Sequence, residues 1–167
     1  MLEAFGLDPK EYDGRNDDIR PDLIRNLREM GEANGLDFDD LQDEQLMMDV
    51  HYSFFPNITF NVSPGHFWLF RARPHPTDPD KMYWDYFNYD RIPRGMDHPP
   101  RPVHRNAVWG DGQEKELHLA LRQDGDSAAP IQQGMHSAGF KGLHLAGQER
   151  RIRNFHRVLE AYVEGED

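Results

Sequence analysis

An α+β fold is the class this sequence predicts: an antiparallel sheet with helices packed on it. Three observations carry it. Residues 50–89 hold three β-rich runs separated by short turn-type links. Residues 21–34 hold an apolar stripe at helical spacing. The closing segment, residues 147–163, places Ile152, Phe155, Leu159 and Tyr162 three and four apart, so that one stripe is laid on a neighbouring surface.

Residues 1–20 are acidic and turn-rich, with Asp8-Pro9 and Asp13-Gly14 as turn dipeptides. In the first predicted helix, residues 21–34, Pro21 suits the first turn, Leu23, Leu27 and Met30 form the stripe, and Gly35 stops it. A weaker helical piece follows at 39–48. Residues 50–62 read as one strand with Ile58, Phe60 and Val62 on one face, and Pro56 inside it implies a bulge, a kink or an edge position. Ser63-Pro64-Gly65 turns the chain into a strand at 66–73. A Pro/Asp/Thr loop, 74–80, leads to a third strand at 82–89, and the short links make a meander. Residues 91–112 form a long proline-rich loop of the kind that is often functional. A helix is expected at 113–122, an interruption at Asp124-Gly125-Asp126-Ser127, and a short helix at 128–135. The last helix is expected to lie on one face of the sheet. Three strands are few for so many aromatics, and the chain reads as a piece of a larger sheet.

Composition narrows the function. The 167 residues suffice for one domain, taken as 1–167. With 11% aromatic residues the chain is no disordered tail. A net charge of −11 opposes binding to nucleic acid, whose phosphates require Lys and Arg. Arg150, Arg151, Arg153 and Arg157 cluster locally, and on a helix they form a solvated face. No apolar run is long enough to span a membrane, and the first residues do not have the pattern of a secretory signal. The absence of cysteine excludes disulfides and cysteine-ligated metal within these residues, and fits a cytoplasmic location. None of the nine histidines forms an HExxH motif, and none lies four or five residues from another.

Three segments carry a resemblance. They are His51-Tyr52-Ser53-Phe54-Phe55-Pro56-Asn57-Ile58-Thr59-Phe60-Asn61, then Phe70-Arg71-Ala72-Arg73-Pro74-His75-Pro76-Thr77-Asp78-Pro79-Asp80, and a third. The third runs from Gln123-Asp124 through Gln132-Gln133-Gly134-Met135-His136-Ser137 to Gln148-Glu149 and Phe155-His156. In order and spacing these resemble the catalytic domain of the alpha subunit of Rieske non-haem iron ring-hydroxylating oxygenases, and Gly6-Leu7-Asp8-Pro9 fits the same stretch. The resemblance covers nearly the whole chain. It implies part of a helix-grip (START-like) catalytic domain, the C-terminal half, that works on an aromatic or related apolar substrate with O2. It further implies one Fe(II) held by two histidines and a carboxylate. Electrons would come from a [2Fe-2S] cluster in an N-terminal Rieske domain, supplied by a reductase or ferredoxin. A homo-oligomer or other oxygenase subunits are the expected partners, and aromatic catabolism the expected setting.

Matched residue by residue, the resemblance places the carboxylate ligand at Asp124, eight residues before Gln132. Asp126 competes with it. In ordinary turn chemistry Asp124 would cap a helix or accept backbone N–H bonds, and Asp126 would cap the next helix. Phe55, Ile58, Phe60, Phe67 and Trp68 are candidate pocket walls or plain core, and Asn57 is a candidate polar contact or turn residue. The family's two iron histidines belong to a D-x-x-H-x4-H motif that this sequence does not contain, and no cysteine is present for a Rieske cluster. The chain is therefore expected to be inactive alone, either as a truncation or as half of a site that a second polypeptide completes. Two other readings stand beside it: a cofactor-free helix-grip module that binds an apolar ligand, and an accessory chain that pairs with a complete oxygenase subunit.

Overall fold

The computed structural model describes residues 2–165. Two compact units divide the chain, Met1–Pro99 and Pro100–Asp167, and each is described by itself.

In the first unit, single 3-10 turns at Leu2–Phe5 and Pro9–Tyr12 precede α1, Asn16–Ala33. The helix begins five residues earlier than the proline suggests. Asp17 and Asp18 lie in its first turn, where carboxylates oppose the positive end of the helix dipole. Pro21 lies inside the helix, and its missing N–H leaves one backbone bond unmade. Gly35 ends the helix as expected. At φ +70° it takes the left-handed conformation. Its N–H reaches Glu32 O at 2.9 Å and that of Leu36 reaches Gly31 O at 2.8 Å, the paired bonds of a Schellman reversal. The reversal turns Phe38 back onto Gly31. Arg28 fixes the returning chain by donating to the carbonyls of Phe38 at 2.9 Å and Leu41 at 3.0 Å, and to Asp43 at 2.7 Å. The expected weak helix at 39–48 is a single turn, α2, Asp43–Leu46.

Four strands follow, in the order β1-β2-β3-β4: β1 Val50–Phe54, β2 Ile58–Val62, β3 His66–Pro74 and β4 Met82–Asp90. All neighbours are antiparallel. The single run expected over 50–62 is thus a hairpin. Phe54 pairs with Ile58, and residues 55–57 make the turn, with a cis bond between Phe55 and Pro56. Proline provides no ladder donor, so a turn is where this segment tolerates it.

The register assigns the side chains to two faces. One carries Tyr52, Phe54, Ile58, Phe60, Val62, Phe67, Leu69, Phe87 and Tyr89. The other carries Thr59, Asn61, Trp68, Phe70, Trp84 and Tyr86. No described residue of the sheet is fully buried. The buried apolar residues of this unit are Leu7, Tyr12, Phe38 and Leu46, around the helices rather than on the strands.

In the second unit, a 3-10 turn at Gln113–Glu116 leads into α3, Leu119–Met135, and α4 spans Arg150–Glu164. The break expected at 124–127 does not occur: α3 runs through Asp124-Gly125-Asp126-Ser127 without interruption. The composition is that of a turn, and tertiary contacts override it. Ser127 turns its hydroxyl back to Gln123 O at 2.8 Å, and the Trp109 ring lies against Gly125. Among the described residues of this unit, Leu121 is the buried one. The stripe of α4 is half-exposed, with Ile152 at 45% and Phe155 at 37%. No helix among the described residues is long and apolar enough to cross a membrane.

Candidate functional site

The sequence-derived candidates fall in two places. Ile58, Phe60 and Phe67 share one face of the sheet, as alternation on neighbouring strands requires. Phe60 is the hub: its ring lies 5.1 Å from Tyr52, 5.3 Å from Phe54 and 5.2 Å from Phe67, and Phe67 reaches Tyr89 at 5.6 Å. Phe55 and Asn57 sit in the β1–β2 turn. Asn57 donates from its side-chain amide to Ala72 O at 2.8 Å, and its backbone carbonyl accepts from Ala72 N at 3.0 Å. That pair of bonds closes the turn onto β3. Trp68 is on the opposite face, beside Tyr86 at 6.2 Å.

The aromatic face ends in a charge cluster that sequence reading did not single out. Arg71, Arg73 and Asp85 share this face. Arg73 grips Asp85 with two bonds, at 2.8 and 2.9 Å, and Arg71 adds one at 2.9 Å. The Arg73 guanidinium also lies over the Tyr83 ring, 5.1 Å from its centre. Two arginines at strand spacing i, i+2 were the available signal. Hydrogen bonds from Arg73, and then from Arg71, hold the Asp85 carboxyl well below its ordinary range, at about 2.

A pH prediction follows from this depression. The stability contributed by Asp85 is complete above the ordinary carboxylate pKa and is lost as pH falls through about 2. Asp85 is 12% exposed, whereas its arginine partners are 43% and 45% exposed, so solvent screens the pair. The expected contribution is about 1 kcal/mol, below the full linkage value. Urea midpoints of Asp85→Asn and the parent chain should differ at pH 7 and converge toward pH 2. A constant difference over that range would show that the charge is not what stabilises.

Asp124 lies on α3 with its side chain exposed. The two histidines nearest in sequence sit at opposite ends of the same helix, His118 as N-cap and His136 as C-cap. At 1.5 Å per residue they lie about 27 Å apart along the helix, about 9 and 18 Å from Asp124. Ligand bonds to iron or zinc are about 2 Å long, so His118 and His136 cannot share an ion. No group of three or more His, Cys, Asp or Glu able to hold a metal occurs among the described residues. The described residues therefore do not fit a complete iron centre.

With the fold and these residues placed, comparison with known proteins identifies the class. The family model for the ring hydroxylating alpha subunit (catalytic domain) matches residues 3–165. The chain belongs to that family, and its α+β architecture with one antiparallel sheet is consistent with a helix-grip catalytic domain. No curated protein and no solved structure matches the chain.

Proposed function

We propose that this chain is the C-terminal catalytic-domain portion of a ring-hydroxylating oxygenase alpha subunit, and that Asp124 is its contribution to a mononuclear iron site. The family match over residues 3–165 carries this reading. Iron in a two-histidine, one-carboxylate setting would supply O2 activation when bound, and the two imidazoles would come from residues outside this chain. The half-exposed aromatic face around Phe60 supports an apolar or aromatic substrate, with Ile58, Phe60, Phe67 and Phe55 as its proposed contacts and Asn57 as the polar group at the turn. The proposed setting is cytoplasmic, with a reductase or ferredoxin and further oxygenase subunits as partners.

The test is metal content and turnover. The purified chain, reconstituted anaerobically with ferrous iron, should retain no stoichiometric metal and should not consume O2 with an aromatic substrate and reductant. A polypeptide that adds the family's D-x-x-H-x4-H segment should bind one iron per chain. Stoichiometric iron on the chain alone would overturn the proposal. A chain that binds an apolar ligand tightly in both forms, and iron in neither, would favour the cofactor-free binding module.

A further inference from the structure

The aromatic face of the sheet changes character along its length. Alternation and the strand register set its side chains in rows across the sheet. Val62, Phe67 and Tyr89 share one row, and Tyr52, Phe60, Leu69 and Phe87 share the next. Phe54, Ile58, Arg71 and Asp85 follow, and Arg73 with Tyr83 closes the face. Ile58 is thus the direct cross-strand neighbour of Arg71. The row of Phe60 lies about 7 Å further along the strands, two residues at the rise of an extended chain. An apolar wall therefore runs straight into two guanidinium groups.

The cluster shows its positive side to solvent. Both arginines donate to Asp85 Oδ2, and Arg73 also to Oδ1, so two cations share one carboxylate. Asp85 is mostly covered, whereas both arginines stand almost half open. Neither arginine bonds to a second carboxylate among the described residues, and their other N–H donors are unspent. A structural ion pair needs one arginine for one carboxylate, and the second is surplus to it. The Tyr83 ring supports the Arg73 guanidinium, and such a planar fork matches a carboxylate with paired bonds. We infer that Arg71 and Arg73 form an anion subsite at the end of the aromatic face, and that its ligand is an aromatic carboxylic acid. The ring system lies on Phe60 and Ile58, and the carboxylate on the two guanidiniums. This rests on the proposed reading of that face as the substrate contact and names the substrate class.

The test titrates the full chain calorimetrically with 2-naphthoate and with 2-naphthamide, its neutral counterpart of the same shape. Acetate serves as the anion without a ring. 2-Naphthoate should bind about tenfold more tightly than the amide, the effect of one charge-assisted hydrogen bond. Arg71→Gln and Arg73→Gln should each remove about that factor for the acid and leave the amide unchanged. Phe60→Ala should weaken both ligands alike, and Ile58→Ala reads the same contact if that variant does not fold. Combining Arg71→Gln, Arg73→Gln and Asp85→Asn leaves no charge unpaired, and this variant should bind acid and amide equally. Equal affinities in the parent chain, with both ligands still sensitive to Phe60→Ala, would overturn the inference and leave the apolar face standing. An acid affinity that survives both arginine variants would overturn it too. Acetate binding as tightly as 2-naphthoate would reduce the pair to an adventitious ion only. The reading of the face fails separately: affinities untouched by Phe60→Ala and Ile58→Ala would sink it, and the inference with it.

Discussion

Gly31→Ala is expected to destabilise the first unit by about 1–2 kcal/mol, although alanine is the best helix former and glycine among the worst. On helix propensity alone the substitution inside α1 should stabilise by about 1 kcal/mol. The packing reverses the sign. A Cβ at residue 31 would lie 2.5 and 2.6 Å from ring carbons of Phe38, far inside van der Waals contact. Phe38 cannot simply move away. It is buried at 9% exposure, its carbonyl accepts from Arg28, and the Arg91 guanidinium lies over its ring at 5.6 Å. The Schellman reversal at Gly35 sets the height at which the chain returns, and Arg94 N bonds to Gly35 O at 2.9 Å, which ties that reversal to the segment after β4. Overpacking of a closed contact costs about 1–3 kcal/mol, more than the propensity gain. A lower urea midpoint with an unchanged slope is the expected measurement. A midpoint at or above that of the parent would mean that the contact relaxes at no cost. Phe38→Leu combined with Gly31→Ala should recover part of the loss, since a smaller side chain leaves room for the methyl group.

How much of this was legible in the sequence differs element by element. The strands at 66–73 and 82–89 were readable to within a residue because both are dense in aromatic residues and hold no Gly or Pro before their ends, and Ser63-Pro64-Gly65 is turn chemistry with a local mechanism. The stop at Gly35 was readable for the same reason. Two errors share a different cause. Pro56 was recognised as an interruption, but periodicity does not show whether a proline bends a strand or ends one, and the Phe54–Ile58 pairing that makes it a turn is a partnership between strands. The stretch Asp124-Gly125-Asp126-Ser127 has turn composition, yet it is helix because Trp109, sixteen residues earlier, lies on Gly125. Contacts at such separation leave no local trace. The same holds for the site residues. Alternation put Ile58 and Phe60 together in the sequence reading, whereas the Arg71–Asp85–Arg73 cluster needed the β3–β4 register before it could be seen.

In a subunit that includes the upstream histidines, Asp124→Ala is expected to abolish stoichiometric iron and with it all turnover, a loss of at least about 100-fold in metal affinity. The argument is one of charge and geometry. Two neutral imidazoles leave the full charge of a ferrous ion uncompensated, and a carboxylate both offsets it and fixes which face of the ion stays open to O2 and substrate. Asp124 suits that role because it is held on a 17-residue helix rather than on a loop, and because Asp126, the other carboxylate of the turn, is engaged with Trp109. Alanine at 124 should leave the helix itself intact, since the side chain is exposed and holds no other described residue. Circular dichroism and urea midpoints should match those of the parent while iron content falls to background. Asp126→Ala is the paired control: it should retain iron at equal loading while the Trp109 indole proton exchanges about fivefold faster, the effect of one lost hydrogen bond. Loss of iron in Asp126→Ala with retention in Asp124→Ala would reverse the assignment of the ligand, and retention in both would remove α3 from the site.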